Sequence, residues 1–168
     1  AFSMAHLRAL RKFQMTDSNT SLPMGANVAL ISIHPEYADK ILCGEKRLEF
    51  RRVWAAQPVD VLVIYATAPV QRIVGLAWIE GVHQGSKTKL WELGKLHGGG
   101  ISRRKLFAYL DGRKNAVALV IGKCHRLTEA LDPRRLFDTH FKPPQSFRYL
   151  RSEEIQQLND ITGGASWE

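Results

Sequence analysis

The apolar positions of this chain fall into short blocks separated by polar punctuation, and the blocks alternate between strand-like and helix-like spacing. Residues 28–33 are a run of branched apolar side chains, the mark of a buried strand, and Pro35 then stands where a first helical residue belongs, with Glu36 behind it. That helix is predicted to reach about Cys43, where Gly44 supplies the left-handed stop. Residues 59–65 and 72–82 predict two further strands joined by the tight connector ATAPVQ, the second with Gly75 as a place to bend. In residues 87–96, Leu90, Leu93 and Leu96 mark the buried side of a helix, and a glycine hinge follows at 98–100. Ser102 can cap a helix that runs to Leu110 and stops at Gly112, and 116–127 is a second long apolar strand. Asp132 and Pro133 open a short helix, Pro143 and Pro144 interrupt the chain, 147–150 reads as a last short strand, and Ser152 caps a C-terminal helix.

Strands of such unequal length, separated by irregular helices, do not fit the regular repeat of a doubly wound sheet. They predict an α+β fold built on a mixed, curved sheet or small β-barrel with peripheral helices. A length of 168 residues at 45% apolar composition supports one core, expected over residues 26–160. Residues 1–25 are set apart as a leader: the first 14 carry three basic and no acidic side chains, and MTDSNT from Met15 looks like an ordinary protein start. This points to vector-derived or upstream sequence. Residues 161–168, with their glycines, read as a flexible tail.

Charge adds a partner class. Twenty-four basic against sixteen acidic residues leave +8, which predicts attraction to polyanions such as nucleic acid, the alternative being simply a soluble basic protein. Cys43 and Cys124 sit inside apolar segments, which favours reduced thiols and a cytoplasmic setting. No apolar run approaches the roughly twenty residues of a membrane span.

Most apparent motifs dissolve on inspection. In GVHQGSKT, residues 81–88, three residues separate the glycines and Ser86 precedes the lysine, whereas a phosphate loop needs four and a lysine directly after the second glycine, so a solvated turn is expected. Cys124 and His125 alternate across a strand and the other histidines are scattered, so no metal or other cofactor is expected. A glycine-flanked serine elbow is absent from the sequence, and Cys43 has no identifiable partner as a nucleophile.

What remains is GEKRLEFRR, residues 44–52, a charged run interrupted by Leu48 and Phe50. If it is extended, Arg47, Glu49 and Arg51 share one side and Leu48 and Phe50 the other, giving either a structural ion-pair ladder or the wall of a polar cleft. Lys46, Arg51, Arg52 and Trp54 lie close together in sequence, combining phosphate-binding cations with a ring that either stacks on a base or serves as core or lid.

The run from Ala29 to Arg52, ALISIHPEYADKILCGEKRLEFRR, resembles the opening of the ASCH domains of the PUA-like superfamily. YATAPVQRIVG, GISRRKLFAYLDG and PPQSFRYL extend the resemblance over about residues 28–155. It implies a small mixed β-barrel with a cleft, in a superfamily whose members bind RNA or modified bases. It also implies that Lys46, Glu49 and Arg51 point into the cleft, with Tyr65 and Thr67 as neighbours across it and Arg148 on the closing strand as a further candidate. Some ASCH proteins are amidohydrolases acting on N4-acylated cytidines. Gly44, Lys46 and Arg51 match their pattern, but Glu49 occupies the threonine place and cannot supply a hydroxyl nucleophile, and glycines 98–100 stand near the place of their catalytic glutamate. Other relatives are ribonucleases. The resulting expectation is an RNA- or nucleotide-binding protein, with Lys46 and Arg51 on phosphate or sugar, Glu49 on a base edge and Trp54 stacking. The alternative is a hydrolase, ribonuclease-like or N4-acylcytidine amidohydrolase-like, in which Lys46 and Glu49 perform acid–base work.

Overall fold

The computed structural model describes residues 22–23 and 25–162. The strands are β1 (Val28–Ile33), β2 (Leu48–Arg51), β3 (Val61–Ala66), β4 (Arg72–Gly85), β5 (Ala116–Leu131) and β6 (Phe147–Tyr149). The helices are α1 (Pro35–Leu42), α2 (Lys87–His97), α3 (Arg103–Tyr109) and α4 (Ser152–Thr162), with a 3-10 turn at Pro133–Arg135. The strands form one mixed sheet in the order β2-β5-β4-β3-β1-β6, in which β1 and β3 are parallel and the other neighbours antiparallel.

β1 alternates cleanly: Leu30 joins an apolar cluster with Val63, Leu76 and Leu158, while Ala29 and Ile31 join a second cluster with Ile41 of α1 and Ile121 of β5. Helices therefore cover both sides of the strand, which is why its sequence reads as a continuous apolar run. A third cluster lies between β2, with Leu48 and Phe50, and the α2–α3 pair, with Leu90, Leu106 and Leu110.

The sheet is strongly curled. Strands β2 and β1 are four places apart in the sheet order, about 19 Å in a flat sheet, yet the Arg51 side chain of β2 bonds the Ser32 carbonyl of β1 at 3.3 Å. A half-barrel results. Bulges in β4 drive the bend, one of them between Ile73 and Gly75. There the backbone comes so close that a Cβ on Gly75 would sit 2.5 Å from the His125 carbonyl oxygen, which explains the glycine.

Several boundaries depart from the sequence pattern. β4 continues through His83 and Gln84 to Gly85, so GVHQGSKT is a strand end rather than a turn, and Ser86 caps α2 by accepting from the Lys89 N–H. β5 continues past Leu127 to Leu131 through exposed polar residues. Leu96 is 77% exposed, since six residues beyond Leu90 the helix has turned away from the face that buries Leu90 and Gly94. Leu22, assigned to the leader, is buried in the core and exchanges two hydrogen bonds with the Asn159 side chain. Ser152 is the first residue of α4 rather than its cap, and the Glu154 carboxylate reaches back to the Arg151 N–H instead. Ile161 and Thr162 belong to α4; the rest of the expected tail, residues 163–168, lies outside the described residues, as does the leader up to residue 21.

Glu154 gives the fold a pH dependence. Burial opposes its ionisation, but the two-pronged Arg148 contact, the Arg151 N–H and the Arg151 guanidinium together hold its carboxyl down to about 2. A depressed folded-state pKa contributes stability that is present above the unfolded value and lost as pH falls. The wild type is therefore expected to lose about 2 kcal/mol between roughly pH 4.5 and 2 that a Glu154→Gln variant does not lose, as read by urea unfolding across that range. Parallel pH curves for the two proteins would refute this.

Candidate functional site

The end of α1 turns through Gly44, at φ 83°, and the chain returns along β2. Backbone hydrogen bonds from Lys46 to the Lys40 carbonyl and from Arg47 to the Gly98 carbonyl fix where the strand begins. Leu48 and Phe50 point to the α2–α3 cluster, as the alternation predicts. Glu49 and Arg51 share the opposite face, in register with Leu119 and Val117.

Lys46 precedes the strand and is 2% exposed. Its ammonium lies 5.3 Å from the Tyr37 ring centroid and 4.9 Å from that of Phe50, and donates to the Gly99 carbonyl. Burial lowers its pKa, the nearby Glu49 opposes that fall, and Lys40 adds to it. The glycine hinge packs directly on this side chain. A Cβ at Gly100 would lie 2.8 Å from the Lys46 Cβ, and its φ of 64° is itself one that favours glycine.

Arg51 ties the two ends of the curled sheet together. One terminal nitrogen donates to the Ser32 carbonyl and the other to the Ser146 carbonyl and hydroxyl at 3.1 and 3.0 Å. Its guanidinium also stands 3.8 Å from Glu49, with the two side chains only 9% and 8% exposed. Two buried polar atoms nevertheless have no partner: Oε2 of Glu49 and Nε of Arg51. Buried polar atoms are ordinarily satisfied, so an acceptor and a donor left open on adjacent side chains mark a place suited to ligand groups.

The structure thus pairs Glu49 with Arg51, and places Lys46 close enough for the Glu49 charge to oppose the fall in its pKa. Trp54 is half-buried and sits at their margin, its ring 4.6 Å from that of Phe147, the residue after Ser146. Thr67 lies just past β3, its N–H bonded to the Ile33 carbonyl at the end of β1. The remaining candidates go elsewhere. Arg52 turns to the end of α3 and donates to the carbonyls of Tyr109 and Asp111. Arg47 donates to the Gly122 carbonyl on β5. Tyr65 is buried in the opposite cluster against Phe141, where burial pushes its phenol up. Arg148 lies over the Phe137 ring and pairs with Glu154. Tyr37, Ser32, Gly99 and Ser146 complete the site. Of these only Tyr37 carries a local signal, since it lies one helical turn before Ile41 on the helix that delivers the Gly44 turn.

Comparison with known proteins agrees with this geometry. A profile described as the ASCH domain matches residues 31–122. The chain is 34% identical over 136 residues to an ASCH domain-containing ribonuclease of Zymomonas mobilis, covering 80% of this chain and 91% of that protein. A crystal structure of ASCH from Zymomonas mobilis superposes with a TM-score of 0.73 at 30% identity, covering 80% of this chain and 94% of that one. A 27% identical match to the large ribosomal subunit protein uL22 of Ureaplasma parvum covers 73% of this chain but only 39% of that protein. With its curled mixed sheet, its glycine-ended helix and the strand that follows Lys46, the chain belongs to the ASCH domain family.

Proposed function

We propose that this protein binds RNA at the Lys46–Glu49–Arg51 cluster and cleaves it there. The observation that carries the reading is the pair of unpartnered atoms, Oε2 of Glu49 and Nε of Arg51, in a buried ion pair whose carboxylate acts electrostatically on the buried Lys46 ammonium. An open acceptor next to an open donor suits a ribose 2′-hydroxyl beside its phosphate, and the likeness to a ribonuclease supports that choice. Groups this buried would be reached by a nucleotide splayed out of its stack rather than by a paired helix, so the reading favours single strands.

The chemistry balances without an outside reactant. Glu49 takes the 2′-hydroxyl proton as that oxygen bonds to the adjacent phosphorus, while Arg51 and Lys46 offset the charge growing on the phosphoryl oxygens. The bond to the 5′-oxygen breaks, the departing oxygen takes a proton from the Lys46 ammonium, and the products are a 2′,3′-cyclic phosphate and a 5′-hydroxyl. Trp54, half-buried at the margin against Phe147, would then stack on a base. Cys43 and Cys124 are unpaired, which suits work in the cytoplasm, and no described helix is long and apolar enough to cross a membrane.

Recognition without cleavage is the second reading, favoured by the same open oxygen of Glu49, which would accept from a base amino group. The deciding experiment incubates the purified protein with single-stranded RNA and with the same strand carrying 2′-deoxyribose at each position. Cleavage of the first to cyclic-phosphate ends, with the second bound but intact, is expected. RNA that binds and stays whole supports recognition alone, and RNA that does not bind overturns the proposal.

A further inference from the structure

The positive charge of this protein is not spread evenly. Between Lys87 and Lys114 there are eight basic and two acidic residues, so this one segment carries +6 of the chain's +8. Elsewhere among the described residues acidic side chains nearly balance the basic ones in number, and several arginines are held in ion pairs: Arg126 with Asp39, Arg134 with Asp132, and Arg148 and Arg151 both with Glu154. Within the segment only Lys95 is seen in an ion pair, with Glu92. The excess therefore sits on α2, α3 and the turn after them, as exposed charge with little to cancel it.

Two features make this face more than a solvated surface. The Phe107 ring on α3 holds two cations, the Arg103 guanidinium 4.1 Å and the Lys87 ammonium 5.2 Å from its centroid, so charges from both helices are fixed side by side. The face also runs straight into the site. The hinge between α2 and α3 supplies the Gly99 carbonyl that binds Lys46, and Arg52, one residue after Arg51, bonds the carbonyls at the end of α3. Anchored inwardly by Leu90, Leu106 and Leu110, the two helices present their basic side outward from the same edge of the sheet that carries Glu49.

We infer that the outer face of α2 and α3 is a second RNA-binding surface, a track for the phosphate backbone of the strand whose nucleotide enters the Glu49 site. This rests on the RNA reading of that site and extends it to the length of the ligand: the substrate is a strand several nucleotides long, gripped outside the site without regard to sequence. Side chains such as Arg104 and Lys105, exposed on α3, would bind phosphates and read no bases.

The test compares the wild type with an Arg104→Glu/Lys105→Glu variant and, as an independent pair, an Arg113→Glu/Lys114→Glu variant. Binding to a long single-stranded RNA and to a dinucleotide is measured over a range of salt. Each variant is expected to lose about tenfold or more in affinity for the long strand, and the slope of log affinity against log salt should shrink by about 0.7 for each phosphate that the protein no longer neutralises. Affinity for the dinucleotide should not change. Unchanged long-strand affinity and slope in both folded variants would overturn the track while leaving the Glu49 site standing. Equal losses for long and short ligands would also overturn it, by showing that the face is not separate. A wild type that binds neither ligand overturns the RNA reading itself. If the variants keep long-RNA affinity but lose binding to vesicles of anionic lipid, the face is a membrane-binding surface and the track is wrong.

Discussion

Replacing Glu49 by glutamine should lower the rate of RNA cleavage by about 10²–10⁴-fold with little change in the affinity for RNA. The substitution keeps the shape of the side chain and one carbonyl oxygen, so packing against Leu119 and the approach to Arg51 are disturbed as little as any change allows. What it removes is the ability to take a proton. If Glu49 is the general base, the loss appears in kcat with KM nearly constant, because the amide still occupies the site but drives no proton transfer. If Glu49 instead reads a base, the loss appears in affinity and depends on which base is offered, since an amide can either accept or donate. Measured kcat and KM on single-stranded RNA therefore separate the two roles. A variant that cleaves at the wild-type rate would remove Glu49 from the mechanism altogether.

The part of this site that was legible in the sequence is the part that strand geometry fixes. Alternation along residues 47–52 puts Glu49 and Arg51 opposite Leu48 and Phe50, and it did so independently of the fold around them. Arg47 escaped that rule because β2 starts only at Leu48. Side chains that must be placed by long-range closure could not be read the same way. Ser32 and Ser146 reach Arg51 only because the sheet curls, and nothing local to either residue announces it. Tyr65 shows the converse: it sits near the end of β3, but its side of that strand faces the cluster with Leu30 and Leu76 rather than the one beside Glu49. The strand ends were misjudged where polarity hid pairing. His83 and Gln84 look like turn residues, yet they pair with Ala118 and Val117. Charge was legible in part, since its concentration between Lys87 and Lys114 can be counted along the chain, whereas the ion pairs that hold arginines elsewhere are properties of the folded surface.

Replacing Arg51 by methionine should cost about 3–5 kcal/mol of stability, far more than removal of a surface arginine. Three hydrogen bonds vanish at once, to the Ser32 carbonyl and to the carbonyl and hydroxyl of Ser146, and these are the bonds that hold β2 to the far side of the curled sheet. The greater part of the cost comes from what stays behind. Glu49 remains a buried carboxylate, deprived of the cation 3.8 Å away and left with Lys46 as its charged neighbour. For a chain of this size the loss should lower Tm by roughly 10 °C. The coupling can be isolated. If an uncompensated charge is the main penalty, adding Glu49→Gln to Arg51→Met should recover a substantial part of the stability, because the orphan is then neutral, whereas broken hydrogen bonds and poorer packing would make the two changes simply additive. Recovery in the double variant means that Arg51 serves chiefly to keep an ionised carboxylate in place, so that the fold bears the strain of holding Glu49 ready. Additivity would make Arg51 a clasp for the sheet that happens to lie beside the site, and a cost under about 1 kcal/mol would mean that the pair is no more than an ordinary surface ion pair.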